Sequence, residues 1–338
     1  MLINRKKTLS RDAKFDGLKF ILMFLVVLGH LKYMDYGLRV SRIIYSFHMP
    51  VFIFLSGFFT SLSSNKEKRI SWIKNTIIIY IVADIAELLL NILLDYSACS
   101  LKGREFSISS YFNWHTVFWP GFALWYLVCL IYWRIAIWTI GNKMNDITLF
   151  VISCLLLVPA GFVPLGFDLS FQRTFAFFPF FVLGIVFKKR GLVRKLEQLP
   201  VYYAVIGLLL GFIAAGLMPT YFPVQPLKTF DQVAERVIQT LLALFLCIMI
   251  IRLSRAKFTE AFAKYGSMTL WIYIGHIYLV NTSNRLFPHL GISLNIFTAI
   301  FVAALYCAFL LFLANMYESK KQKHKDRQET GALLDKCI

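Results

Sequence analysis

Long apolar runs recur along the whole chain and are separated by short polar or basic stretches. A helix needs about 20 residues to cross roughly 30 Å of hydrocarbon, and most of these runs approach or exceed that length. The pattern therefore predicts an all-α, polytopic integral membrane protein with about ten transmembrane helices, and one membrane-embedded domain over residues 1–338. The apolar runs cover residues 17–33, 45–62, 72–94, 120–140, 147–166, 171–187, 200–218, 235–253, 268–284 and 292–316.

Composition and charge agree with a membrane protein. Hydrophobic residues make up 58% of the chain and charged residues 16%, whereas soluble domains have about 25% charged residues. The net charge of +18 does not indicate nucleic-acid binding, because each cluster of cations lies after an even number of apolar runs, counting the N-terminal cluster as zero. This alternation follows the positive-inside rule and places both tails, residues 1–16 and 318–338, in the cytoplasm. We expect membrane lipids, not nucleic acid, as the partners of this charge.

Within the first apolar run, two titratable side chains, Lys19 and His30, bracket ten uncharged and mostly apolar residues. The ten residues between them are too few to cross a bilayer, so an ionisable group lies at membrane depth if the segment spans. Eleven helical residues return to within about 20° of the starting direction, about 16 Å further along, so the two share one face. Such a face can line a cavity for a long, anionic, thioester-like molecule. Alternatively, Lys19 snorkels to lipid phosphates and His30 binds a backbone carbonyl.

The second apolar run begins with His48 and a proline, Pro50, at a position where a helix tolerates proline. His48 lies at the outer end of this run, where it belongs either to an acceptor site or to the membrane interface. Ser56 and Gly57 permit the close approach of another helix.

The third run contains two acids, Asp84 and Glu87, three residues apart and so on one helix face. Acids at membrane depth are costly unless they are paired or face water. They either serve as counter-charges to a basic cavity wall or belong to a helix that packs against Arg134 or Arg236.

Two further regions contain polar side chains, and each region has two possible roles. Tyr273 and His276 share a helix face, and His276 is either structural or part of a site. The outer loop at about 95–119 suits sugar contact or an interfacial aromatic belt. Its aromatic and polar side chains include Lys102, Arg104, Glu105, Tyr111, Trp114, His115 and Trp119.

Several catalytic signatures are missing from the sequence. It contains no GxSxG, GxxxxGK[ST], GxGxxG or HExxH string, which disfavours serine hydrolases, nucleotidases, dinucleotide enzymes and zincins. The six cysteines are scattered singly without a CxxC pair, so we expect neither disulfides nor a metal site. His30 and Asp35 form an H-x-x-x-x-D string, which matters only if the helix ends just after His30.

Five segments, in chain order, resemble the membrane acyltransferase family 3. They are DGLKF and LGH within 16–30, FHMPVFIFLSGFF at 47–59, ALWYL at 123–127, RTFAFFPFFVLG at 173–184 and SMTLWIYIGH at 267–276. The closest likeness is to the fucose 4-O-acetylase-like and polysaccharide O-acetyltransferase branch. In the family, an arginine followed eleven positions later by a histidine marks the first helix. Here Lys19 stands in place of the arginine, which keeps the charge and loses the planar phosphate fork.

The resemblance implies an enzyme that moves an acetyl group from cytoplasmic acetyl-CoA to a hydroxyl of a cell-envelope glycan or lipid-linked saccharide in a bacterial plasma (inner) membrane. We expect Lys19 and Arg69 to bind the donor phosphates, and His30 to act as a general base or to carry the acetyl group. Acetyl-CoA is then a substrate, and no permanently bound cofactor is expected. The residues expected to contact the acceptor are His48, Trp125 and Arg173, although Arg173 at an interface can also snorkel.

Two other classes of protein remain as alternatives. In a proton-coupled transporter or flippase of a glycan-related solute, His30, Asp84 and Glu87 relay protons or bind solute. A structural membrane protein tolerates the loss of both Lys19 and His30.

Overall fold

The computed structural model describes residues 12–34, 39–62, 65–101, 103–113, 120, 123–141, 143–164, 166, 168–218 and 226–334. These residues are helical, apart from turns and one isolated β-bridge between Met34 and Asn295. The α-helices are α1 (Ala13–His30), α2 (Val40–Phe58), α3 (Lys66–Leu101), α4 (Trp125–Ile140), α5 (Asp146–Leu155), α6 (Phe171–Lys189), α7 (Leu192–Glu197), α8 (Val201–Leu217), α9 (Phe230–Ser254), α10 (Thr269–His289) and α11 (Ile296–Leu334). Four 3-10 helices cover Ile108–Tyr111, Pro159–Phe162, Asp168–Ser170 and Lys257–Met268.

The all-helical, membrane-embedded fold agrees with the sequence prediction. Each predicted apolar run falls on a helix, but length and apolar composition single out five segments of the described chain as able to cross a membrane. These are Val40–Phe58, Lys66–Ser100, Asp168–Lys189, Phe230–Ser254 and Ile296–Lys323; three shorter apolar helices are Trp125–Ile140, Asp146–Phe162 and Val201–Leu217. The total of about ten spans stays a prediction.

Several helices extend beyond the apolar runs that predicted them. α1 begins at Ala13, inside the expected N-terminal tail, and α3 covers Lys66–Leu101 where 72–94 was expected. α11 continues to Leu334, so much of the expected C-terminal tail is helical. Lysine and glutamate are good helix formers, and backbone hydrogen bonding therefore continues where the apolar run ends.

The core is built around α1 and α6. Both helices contribute to the two clusters of buried apolar side chains. In the apolar segment of α6, 72% of residues are buried, against 11% in that of α3. α3 therefore lies at the periphery, where its exposed isoleucines and leucines suit contact with lipid.

α2 crosses α6 through small residues. A Cβ added at Gly57 would collide with the backbone carbonyl of Phe181, and one added at Gly184 with that of Phe54. Only glycine permits two backbones to approach this closely. This crossing fixes α2 against the centre of the molecule.

The fifth apolar run is a broken helix. α5 ends at Leu155, and the 3-10 helix Pro159–Phe162 follows it. Gln172 donates hydrogen bonds to the carbonyls of Ala160 (3.0 Å) and Val163 (2.7 Å), and Arg236 donates to that of Leu157 (3.4 Å). Irregular backbone at membrane depth needs such partners.

Ion pairs join the helices at the end of the molecule where α1 begins. Asp12 caps α1 by accepting hydrogen bonds from the Lys14 and Phe15 amides. Arg255 pairs with Asp12 at 2.7 Å and, across the same end, with Glu197 of α7 at 2.6 Å. In a separate pair, Nε and Nη2 of Arg190 donate to the two carboxylate oxygens of Asp146 at the start of α5. The Arg255–Asp12 pair ties the start of α1 to the segment that follows α9.

Candidate active site

His30 is the last residue of α1. The chain turns to an extended conformation at Leu31, so the final carbonyls of the helix lack helical partners. The Asn284 amide of α10 supplies them: it donates to the His30 carbonyl at 2.9 Å and accepts from the Lys32 amide at 2.9 Å. The Asn284 side chain thus bonds the backbone both at the last helical residue, His30, and just beyond it, at Lys32. Asp35, the acid of the H-x-x-x-x-D string, lies outside the described residues.

The His30 ring is oriented by Tyr45 of α2. The Tyr45 hydroxyl lies 3.1 Å from the Gly29 carbonyl and 3.0 Å from Nδ1 of His30. A carbonyl only accepts, so the single hydroxyl proton goes to Gly29 and the phenol oxygen accepts from Nδ1–H. We therefore assign the proton of neutral His30 to Nδ1 and the basic lone pair to Nε2.

Two more imidazoles lie beside His30. The His276 ring stacks on it with centroids 5.5 Å apart and planes 15° apart. Nδ1 of His276 donates to the Ile272 carbonyl (3.1 Å), and Nδ1 of His48 donates to the Ile44 carbonyl (2.6 Å). Both rings therefore also hold Nε2 as an acceptor, and Nε2 of His276 is buried with no hydrogen-bond partner in the described part of the chain. His276 thus lies against His30 while its Nδ1 bonds a carbonyl of its own helix, α10.

A cavity of about 230 Å³ opens beside these rings. Met23, Val26 and His30 line it from α1 at helical spacing, and Lys19 lies one turn before Met23 on the same face; we name these four residues the α1 stripe. The cavity brings together three residues predicted to contact the acceptor, His48, Trp125 and Arg173, with His30. The remaining lining residues are Tyr45, Met49, Phe52, Ala123, Tyr126, Phe177 and Tyr273.

Arg173 contributes the permanent charge of this cavity. It lies in the first turn of α6, and its guanidinium lies 5.1 Å from the centroid of the Trp125 ring, over its face. The indole in turn stacks on Phe177 at 5.2 Å. A cation held over an aromatic face is stabilised by the ring quadrupole, and Arg173 is among the residues that line the cavity.

The two residues predicted to bind the donor lie at the other end of α1, outside the cavity lining. Lys19 pairs with Asp16 at 2.9 Å and lies 4.1 Å from the Phe59 ring centroid. Arg69 donates to the Leu62 carbonyl at 2.8 Å and lies over the Trp138 ring. Lys19 and Arg69 thus contact the same short connection between α2 and α3, about 16 Å along α1 from His30.

The helix that carries the two acids of the third run, α3, packs against Arg134 through Trp72. Glu87 accepts a hydrogen bond from Asn281 at 3.2 Å. Arg134 lies over the Trp72 ring at 3.9 Å, and Arg236 binds the broken helix of the fifth run. Asp84 and Glu87 are not among the described residues that line the cavity. In the outer loop, Lys102, Trp114, His115 and Trp119 lie outside the described residues.

A family model described as an acyltransferase domain, of acyltransferase family 3, matches residues 12–313. The chain belongs to the acyltransferase 3 family. Curated proteins and solved structures gave no match. The match covers every helix that lines the cavity, so this family member is a membrane acyltransferase. The fucose 4-O-acetylase-like branch stays a prediction.

Two residues of this acyltransferase 3 protein that the sequence did not reveal are Tyr45 and Asn284. Both hold His30 in place, from α2 and α10. Among the described residues, no group of three or more histidine, cysteine or acidic side chains is placed to hold a metal ion. The three imidazoles are instead each tied through Nδ1 to a hydroxyl or a carbonyl.

Proposed function

We propose that the protein is a membrane O-acyltransferase that moves an acetyl group from cytoplasmic acetyl-CoA to a hydroxyl of a cell-envelope polysaccharide. The observation that supports this most strongly is the cavity that joins the fixed His30 ring to Arg173 and Trp125. The proposal includes about ten spans, both termini in the cytoplasm of a bacterial cell, and the fucose 4-O-acetylase-like branch. The charge alternation and the quoted segments support these finer points.

His30 supplies the base in this proposal. Nε2 takes the proton of the acceptor hydroxyl as its oxygen attacks the thioester carbonyl. The carbon–sulfur bond then breaks, and the CoA thiolate takes the proton from the imidazolium. In the covalent variant, Nε2 itself attacks the thioester and the CoA thiolate leaves; the hydroxyl then attacks the acetyl-imidazolium, the carbon–nitrogen bond breaks, and the hydroxyl proton goes to the thiolate.

Arg173 and the aromatic wall complete the proposed chemistry. Negative charge develops on the thioester oxygen in the transition state, and a fixed guanidinium facing the cavity stabilises it. Alternatively, Arg173 orients an acidic sugar beside His48, while Trp125 offers an apolar face to a sugar ring. The α1 stripe leads from this cavity toward Lys19 and Arg69, which are proposed to neutralise the donor phosphates.

The experiment that tests this proposal measures transfer of the acetyl group from donor to glycan. Purified protein in nanodiscs receives acetyl-labelled acetyl-CoA and an envelope glycan, and the glycan is analysed for covalent label. We expect transfer that His30→Ala abolishes, whereas His289→Ala, which removes an exposed histidine at the end of α10, leaves it intact. Movement of intact solute across vesicles without transfer would instead establish the transporter alternative.

A further inference from the structure

The four residues that follow α2, residues 59–62, are contacted from four different helices; we name them the α2–α3 turn. Lys188 of α6 donates to the Thr60 carbonyl at 3.2 Å, and Trp138 of α4 donates to that of Ser61 at 3.1 Å. Lys19 of α1 and Arg69 of α3 contact Phe59 and Leu62. Carbonyls at a helix C-terminus carry partial negative charge and attract cations. Three cations therefore converge on one turn.

Two of these cations, Lys19 and Lys188, differ in whether a carboxylate neutralises their charge. Asp16 pairs with Lys19 at 2.9 Å. Lys188 is exposed, and within the described ranges no carboxylate lies within 4.0 Å of it. An ammonium has three donors, and the Thr60 carbonyl uses one of them. Lys188 therefore offers positive charge and donors to an outside anion.

The neighbours of Lys188 in the sequence are directed elsewhere. Lys189 donates to the Gly141 carbonyl at the end of α4, at 3.4 Å, and Arg190 pairs with Asp146. Of these three consecutive cations, Lys188 alone contacts the α2–α3 turn in the described structure. The turn in turn contacts Lys19, the first residue of the α1 stripe that leads to the cavity.

We propose that Lys188 binds a phosphate group of the acyl donor at the α2–α3 turn. This inference rests on the proposed function, because it requires a phosphate-bearing donor whose thioester reaches His30. In it, Lys188 adds a direct phosphate contact at the turn to those proposed for Lys19 and Arg69, and the Lys19–Asp16 pair also holds the turn in position. A phospholipid headgroup carries the same phosphate chemistry, so the test separates the two sources.

The experiment compares two acetyl donors. Acetyl-CoA carries phosphates, whereas S-acetyl-N-acetylcysteamine keeps the thioester and lacks them. For Lys188→Gln we expect KM for acetyl-CoA to rise about 10- to 100-fold, since a hydrogen bond to a charged group is lost. We expect kcat, and KM for the phosphate-free donor, to stay within about twofold. Lys188→Arg should restore most of the affinity for acetyl-CoA.

The matched control is Lys189→Gln, which removes the same charge one residue later. An equal rise in KM for both donors would make Lys188 structural and overturn the inference, and so would an equal effect of Lys189→Gln. Repeating the measurement with and without phosphatidylglycerol tests the lipid source: an effect confined to nanodiscs with that lipid overturns donor binding.

Titration with CoA separates this inference from the proposed function. If wild-type protein transfers acetyl groups but Lys188→Gln binds CoA as well as wild type does, the inference about Lys188 is wrong and the proposed function stands. If wild-type protein neither transfers acetyl groups nor binds CoA, both are wrong.

Discussion

Tyr45→Phe tests whether the orientation of His30 matters for transfer. The change removes one oxygen and keeps the ring. It deletes the hydrogen bond to the Gly29 carbonyl at 3.1 Å and the one from His30 Nδ1 at 3.0 Å. Each such bond contributes about 0.5–1.5 kcal/mol, so the variant loses about 1–3 kcal/mol of the free energy that holds the His30 ring in its orientation. If all of it is lost from the transition state, kcat falls roughly 5- to 150-fold.

The assay is the initial rate of acetyl transfer at varied acetyl-CoA concentrations, with the melting temperature measured in the same nanodiscs. KM for acetyl-CoA should change little, because the proposed phosphate contacts lie about 16 Å along α1 from His30. Tyr278→Phe is the control, since its hydroxyl also donates to a carbonyl, that of Ala83 at 3.1 Å, without touching an imidazole. A Tyr45→Phe variant with kcat within twofold of wild type would refute the assigned role of Nδ1, as would an equal loss in Tyr278→Phe.

Three further predictions concern stability. Lys19→Gln leaves the Asp16 carboxylate without its ammonium partner and should lower the free energy of unfolding by about 1–2 kcal/mol, because the pair is partly exposed. Denaturant titration measures this loss, and the double variant Asp16→Asn/Lys19→Gln should recover most of the lost stability. Gly57→Ala forces a methyl group into a backbone carbonyl of α6 and should cost about 1–3 kcal/mol by the same measurement, whereas Gly216→Ala, with open space around it, should cost little. Hydrogen bonds from its arginine partner lower the pKa of Asp146, so the stability that this pair contributes is present above the ordinary aspartate value, about 3.9, and is lost as pH falls through the lowered value. Melting temperatures of wild type and Asp146→Asn between pH 7 and pH 2 should therefore converge at the acidic end, and a constant difference would contradict this.

The helices and the α1 stripe were predictable because both follow from local periodicity. Apolar runs locate helices, and a spacing of eleven residues places Lys19 and His30 on one face whatever the rest of the fold does. The Lys19–Asp16 pair, three residues apart on α1, was readable by the same rule. Helix ends were less predictable, because polar residues such as those at the start of α3 continue a helix past the apolar run.

The partners of His30 were not predictable in the same way. Tyr45 is 15 residues away in sequence and Asn284 is 254 residues away. Their contacts depend on how α2 and α10 pack against α1, and no short motif encodes that packing. The same applies to Lys188, whose position in a basic cluster indicated the membrane interface but not the carbonyl that it contacts.

Three arginines of this protein contact carbonyls or aromatic rings, and one of them lines the cavity. Arg236 binds a carbonyl, Arg134 lies over an indole, and Arg173 lies over Trp125. Among the described residues that line the cavity, the charged group is a guanidinium and none is a carboxylate. Such a lining opposes the entry of cations and favours negative charge that develops inside. This lining therefore fits the proposed attack of a hydroxyl on a thioester, in which negative charge develops on the thioester oxygen.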